Sequence, residues 1–149
     1  MKFLTTLILF CLFTFSLNAQ VRPYVNGLGE WTVSGVYGGG SLGGHIFDRL
    51  TTEVFYLRLV EQPDIQFDIK QHSWGGLLAY TFYKSENGNY AKLQMRIGYS
   101  NTRFFVLWPT MVIGFKLKGR FEGLLINGIR FESPSLGFGL KYNLEGLFK

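Results

Sequence analysis

A single antiparallel β-barrel of about eight strands, closed up-and-down, is the fold class this chain predicts. Three observations carry it. The segment Ser135-Leu136-Gly137-Phe138-Gly139-Leu140-Lys141-Tyr142-Asn143-Leu144 alternates without a miss. Similar period-two runs recur along the chain at near-regular spacing, separated by turn residues. No segment after residue 19 shows convincing helical periodicity. Side chains in a strand point alternately to opposite faces, so the last run places Leu136, Phe138, Leu140, Tyr142 and Leu144 on one face and Gly137, Gly139, Lys141 and Asn143 on the other. Many short strands of this kind form a sandwich or an up-and-down barrel.

The chain opens with Lys2, an apolar run from Phe3 to Phe15, and Ser16-Leu17-Asn18-Ala19 before Gln20. That is the layout of a secretory signal peptide with cleavage after Ala19. The run is shorter than the roughly 18 to 20 residues a membrane-spanning helix needs. Cys11 lies inside the run behind the bulky Phe10, which argues against lipidation. Residues 1–19 are therefore read as a leader and 20–149 as one domain. Removing the leader takes away Lys2 and Cys11, leaving 14 Lys and Arg against 10 Asp and Glu and no cysteine. Disulfides and thiolate metal sites are thereby excluded from the mature chain. Its net charge of +4 is scattered and forms no basic run, which argues against a nucleic-acid partner. Since no later segment is apolar for long enough to be a spanning helix, any crossing of a membrane would use strands.

In order, the strands are expected near 31–47, 52–60, 64–71, 74–84, 89–100, 103–118, 120–131 and 135–145. The first is the least regular, because Gly38-Gly39-Gly40-Ser41-Leu42-Gly43-Gly44 reads as a bent strand or as a loop joining two short ones. Trp108-Pro109 raises the same question in the sixth, so nine or ten strands stay open. In 52–60, Phe55, Leu57 and Leu59 share a phase opposite Tyr56 and Arg58; in 74–84, Leu78, Tyr80 and Phe82 stand opposite Ala79 and Thr81. Asp64–Lys70, Leu93–Ser100 and Ile113–Lys118 each have one apolar and one polar face. Glu122 shares a phase with Leu124, Ile126 and Arg130, which implies a bulge or a mixed inner face. Turns are read at Asp48–Thr51, Glu61–Asp64, Ser85–Gly88, Asn101-Thr102, Lys118-Gly119 and Glu132–Ser135.

The charged residues separate a membrane barrel from a soluble one. Arg58, Asp68, Lys70, Arg96, Lys116 and Lys141 stand opposite apolar neighbours, so in a membrane barrel they point into the lumen or lie near strand ends. A Lys or Arg on the lipid face at mid-bilayer costs about 2–4 kcal/mol, enough to enforce that phase. Leu136, Phe138, Leu140, Tyr142 and Leu144 would then face lipid. Aromatic residues such as Trp31, Trp74, Trp108, Tyr80, Phe82, Tyr99, Phe104, Phe115, Phe138 and Tyr142 exceed what a small soluble core needs and suit interfacial girdles. An eight-stranded interior is just wide enough for side chains to fill, so the inward charges, with Glu122, are expected to pair and leave no open channel.

With its signal peptide and alternating strands, the chain resembles the small outer-membrane β-barrel proteins of Gram-negative bacteria, the porin-like class that includes eight-stranded barrels. Ser135-Leu136-Gly137-Phe138-Gly139-Leu140-Lys141-Tyr142 resembles the C-terminal signal read by the barrel assembly machinery, although it stops seven residues short of Lys149, where the family commonly ends on an aromatic. The resemblance implies an outer-membrane location, outer-membrane lipid and the assembly machinery as partners, and subunits of an envelope complex as further ones. It implies no specific activity.

Candidate chemistry is sparse. His72-Ser73 places a base beside a hydroxyl, but neighbours on a strand point to opposite faces. His45 and His72 with Asp48 or Asp68 match no standard metal-ligand spacing. The glycines at 38–44 are followed by no Gly-Lys-Ser/Thr, so a phosphate cradle is not indicated. No catalytic, cofactor-binding or metal-ligating residue is assigned. Three functions remain open: a non-enzymatic integral barrel with a structural, adhesive or accessory role, a soluble exported barrel or sandwich binding a small apolar ligand, and an outer-membrane lipid-modifying enzyme.

Overall fold

A computed structural model describes residues 22–61, 72–101, 103–130 and 133–145. Eight strands follow one another around a closed barrel: β1 (Arg22–Thr32), β2 (Gly35–His45), β3 (Leu50–Glu61), β4 (His72–Lys84), β5 (Tyr90–Ser100), β6 (Arg103–Lys116), β7 (Phe121–Arg130) and β8 (Ser133–Asn143). Each pairs antiparallel with its sequence neighbours, and β1 closes on β8 from Tyr24↔Asn143 to Thr32↔Ser135. Closure of β1 on β8 leaves neither of these two strands as a sheet edge.

The even strand number returns Arg22 and Asn143 to one end of the barrel. The short loops 46–49, 85–89 and 117–120 lie at that same end. At the far end β1 turns into β2 through Val33-Ser34, and β5 ends at Ser100, followed by Asn101 in a turn. Asn101 (φ 53°) takes the left-handed conformation that so tight a turn requires.

Eight strands are present as expected, but their placement along the chain differs. The predicted strand 31–47 is split at Val33-Ser34, where the Ser34-Gly35 dipeptide, with Gly35 at φ 133°, is a turn signal that the strand reading runs through, and 22–32 forms a strand of its own. The predicted strand 64–71 lies outside the described residues; 50–61 pairs directly with 72–84. The glycine-rich stretch belongs to β2. At Trp108-Pro109 the β5–β6 register shifts between Gln94 and Arg96, a bulge that suits a residue with no N–H to donate. β7 stays in continuous register with β8, so its mixed face is a mixed interior and not a bulge.

The interior holds an apolar cluster of Leu28, Phe55, Leu57, Leu77, Ala79, Val112, Leu124 and Ile126 together with Tyr90. The outward face is apolar as well. Val54, Leu78, Leu93, Met95, Ile97, Ile113, Leu136, Phe138 and Leu140 are all exposed there. Among the described mid-strand residues, Thr52 and Asn127 are its polar members, and its charges lie toward strand ends, as Arg58 and Glu61 do. Aromatic rings gather toward both ends. Trp31 meets Phe138 edge-on at 5.6 Å, Trp74 stacks on Tyr99 at 5.3 Å, and at the terminus-bearing end Phe121 lies 4.9 Å from Tyr142.

Candidate functional site

The barrel interior is the most organised polar site among the described residues. Three acids meet three bases in it, each pair joining different strands. Glu53 on β3 accepts hydrogen bonds from Tyr24 Oη (2.8 Å), Asn26 Nδ2 (3.0 Å) and Ser41 Oγ (2.6 Å), and from Lys92 Nζ on β5 at 3.1 Å. Four donors around one carboxylate meet the requirement that a buried charge be both paired and hydrogen-bonded. Nearer the terminus-bearing end, Glu122 pairs with Lys141 (2.9 Å) and accepts from Tyr90 Oη (3.1 Å) and Asn143 Nδ2 (2.7 Å). Lys141 Nζ also lies 4.4 Å from the centre of the Tyr24 ring and 3.2 Å from His45 Nε2. The third pair is Arg96 with Glu30, the guanidinium lying 5.5 Å over the Phe55 ring.

Local sequence makes room for these groups. Gly43 lies directly across from Glu53, Gly137 from Glu30, and Gly114 from Tyr90. A Cβ at Gly137 would come within 2.9 Å of Glu30 Cγ, and one at Gly114 would overlap the Tyr90 ring. Each large interior group thus folds over a glycine on the neighbouring strand, which is how a narrow barrel alternates large and small residues.

The residues singled out from sequence separate into three groups. Arg96 and Lys141 lie in the interior, buried and paired. Lys116 is exposed at the end of β6 and lines the mouth, while Asp68 and Lys70 lie outside the described residues. Arg58 corrects the expectation of an inward charge: it points outward with Val54 and Tyr56, and Phe55 and Leu57 point in. The reason is phase. Glu53 shares a face with Phe55 and Leu57, and a strand cannot turn one of them inward without the others. On β8, Leu136, Phe138 and Leu140 point outward and are exposed; Tyr142 is half-buried against Phe121, and Leu144, beyond the strand, is half-buried with its N–H donating to the Pro23 carbonyl.

Sequence reasoning missed Glu30, Glu53 and Lys92. Glu30 lies on the unrecognised strand β1, Glu53 on the strand whose phase was reversed, and Lys92 one residue before the run that begins at Leu93. Their signal was the cross-strand glycine and, for Lys92, the continued alternation Lys92-Gln94-Arg96. The histidines form no reactive couple. His72 is exposed and Ser73 is buried on the opposite face. Among the described residues no three His, Cys, Asp or Glu side chains converge to hold a metal.

At the terminus-bearing end the interior widens into a mouth of about 640 Å³, floored by Tyr90, Glu122, Lys141 and His45.

No protein-family model and no curated protein matches the sequence. Solved structures do resemble the fold. The solution NMR structure of the de novo designed TMB2.3 has a TM-score of 0.66 at 8% identity, covering 86% of this chain and 98% of that one. A second structure, from the de novo design of transmembrane β-barrels, has a TM-score of 0.64 at 12% identity, covering 82% and 94%. The N-terminal β-barrel domain of Pseudomonas aeruginosa OprF has a TM-score of 0.59 at 13% identity, covering 83% and 99%. At these identities the likeness is one of architecture: the chain has the closed, eight-stranded, antiparallel fold of outer-membrane-type barrels.

Proposed function

We propose that this chain is an integral outer-membrane β-barrel protein, exported by its first 19 residues, with a structural, adhesive or accessory role in the envelope and no open channel. The observation that carries this reading is the polarity of the wall. The paired charges point inward, while the middle of the outward face, among the described residues, is apolar apart from Thr52 and Asn127. In water that outward surface would far exceed the apolar patches of a few hundred Å² that soluble monomers expose; in lipid it is the expected exterior. The strands run 10 to 14 residues, long enough to cross at the usual tilt. Aromatic rings toward both ends match the two interfaces.

The interior supports the second half of the proposal. A lumen filled by Leu28, Phe55, Leu57, Leu77 and three ion pairs leaves little room for a continuous water path. The same filling disfavours a soluble carrier of an apolar ligand, which needs an empty core. Outer-membrane lipid and, during biogenesis, the assembly machinery are the partners this reading requires; subunits of an envelope complex would serve an accessory role.

Fractionation tests the location. The protein should resist carbonate extraction, require detergent, and change gel mobility on boiling, as closed barrels do. Recovery in the soluble periplasmic fraction would overturn the membrane reading. Planar-bilayer recording tests the closed lumen: no stable conductance is expected, and steady single-channel currents would show an open path.

A further inference from the structure

We propose that the mouth at the terminus-bearing end is a binding vestibule for a phosphate-bearing anion. The three interior acids are matched by the three interior bases, so unbalanced charge collects at the mouth. Arg22, Lys84, Lys116, Arg120 and Lys141 line it, against Asp48, Glu122 and Glu145. Lys141 is held by Glu122, and Arg22 lies 3.7 Å from Glu145. Lys84, Lys116 and Arg120 have no ion-pair partner among the described residues, and Asp48 is the one remaining acid of the lining.

The three cations come from different places in the chain: the end of β4, the end of β6 and the β6–β7 loop. Short connections tie each of them to the barrel rim. Gly88 (φ 84°) and Gly119 (φ 69°) supply the left-handed residues of the two loops that flank them. The floor offers further groups, since His45 and the Lys141 ammonium lie beneath the opening. A volume of about 640 Å³ falls in the range of small-molecule sites, roughly 300–1,000 Å³.

Phosphate is the ligand chemistry that fits. It carries up to two charges and several accepting oxygens, so one group can meet cations arriving from separate sides. Arg120 can engage it in bidentate fashion, while the lysines act as point charges. A free phosphate ester and a phospholipid headgroup present the same group, and the mouth opens where either could enter. The lining depends on the barrel fold alone, and the test rests on the membrane reading only in folding the chain in micelles and nanodiscs.

The test uses the full mature chain, folded in a non-ionic maltoside micelle and titrated with inorganic phosphate while backbone amide shifts are followed. Saturable shifts should appear at 46–49, 85–90 and 117–122, and chloride at equal ionic strength should not reproduce them. The triple variant Lys84→Gln/Lys116→Gln/Arg120→Gln should bind at least about tenfold more weakly, with its heat-dependent gel shift intact. Lys118→Gln, which neighbours the mouth without lining it, should bind as the parent does. If the triple variant does not fold, the single glutamine variants carry the test, each weakened about two- to fivefold. A second arm places the protein in phosphatidylcholine nanodiscs with and without phosphatidylglycerol and measures retained phosphatidylglycerol by mass spectrometry. Retention lost in the variants, with no response to inorganic phosphate, would identify a headgroup as the source. Saturable binding in neither arm, or equal binding by parent and folded variants, would overturn the vestibule while leaving the barrel's location untouched.

Discussion

On β5 the two faces of one strand can be compared directly. Lys92, Gln94 and Arg96 point inward and are 4%, 4% and 3% exposed; between them Leu93, Met95 and Ile97 point outward and are 47%, 42% and 46% exposed. A soluble barrel places these sets the other way round, because water solvates charge at no cost and apolar groups gain from burial. Here the buried charges hold because each meets an opposite charge, and on the proposed reading the apolar wall is solvated by lipid. The inner face is specified by individual partners, the outer face only by polarity. Substitutions should therefore be tolerated very differently on the two.

Breaking the inner face at Glu53 should give the largest effect. Glu53→Ala leaves the Lys92 ammonium buried without its anion and strips the acceptor from Tyr24, Asn26 and Ser41. A loss of about 3–5 kcal/mol is expected, read as a lower urea midpoint for the protein folded in lipid vesicles. The double variant Glu53→Met/Lys92→Met should recover part of that loss, since no unpaired charge remains. It should not recover all of it, because three neutral donors still lack their acceptor. A double variant no better than Glu53→Ala would show that the Lys92 pairing does not govern this layer.

The outer face is best broken at mid-strand. Leu78 is the seventh of the thirteen residues of β4 and points outward opposite Met95. On the membrane reading, Leu78→Arg should cost about 2–4 kcal/mol. In water the same change should fall within roughly 0.5 kcal/mol, as surface substitutions usually do. The same unfolding assay separates the two, and a neutral result would remove the lipid face from the proposal.

How legible these faces were depended on how different they are within each strand. Apart from Leu77 and Tyr90, β4, β5 and β8 place bulky apolar residues outward and small or polar ones inward, so alternation alone recovers their phase. β1 does the opposite in part. Tyr24 and Leu28 are buried inside while Gly27 and Gly29 lie on the outward phase, so its outer face carries too little apolar signal to mark a strand. β3 has aromatic residues on both faces, Phe55 inside and Tyr56 outside, and Arg58 is a charge on the outward face, so equating charge with lumen inverts the strand. The rule of a polar lumen holds for wide channels; a filled interior is packed as a core and recruits Phe and Leu as readily as Glu and Lys. The acid–base partners were hidden for a different reason. Pairing between β3 and β5, or β1 and β5, depends on side chains reaching across the barrel, and alternation within one strand carries no record of it.

Gly114 sharpens the comparison at a smaller scale, because the fit there is steric. It lies across from Tyr90, whose ring occupies the space a Cβ would take. Gly114→Ala should push the ring away from Glu122 and cost about 1–3 kcal/mol, the range of overpacked cores. The change is apolar, so the effect should be nearly the same at low and high salt. Gly27, on the outward phase with nothing within 4 Å of its Cβ position, provides the control: Gly27→Ala should leave the urea midpoint close to that of the parent.

The smallest effect is expected at Arg58, and its size reports depth. Arg58 points outward, lies across from His72 at the start of β4, and is three residues from the end of β3. A charge that close to a strand end can reach the headgroup region, where Lys and Arg cost only about 0–1 kcal/mol. Arg58→Leu should accordingly change stability by no more than about 1 kcal/mol. Val54→Arg, two repeats of the pleat further from the end on the same face, should cost more than Arg58→Leu gains. If Arg58→Leu instead stabilised the barrel by about 2 kcal/mol or more, the arginine would lie well inside the hydrocarbon, and the apolar band would have to be drawn closer to the far end.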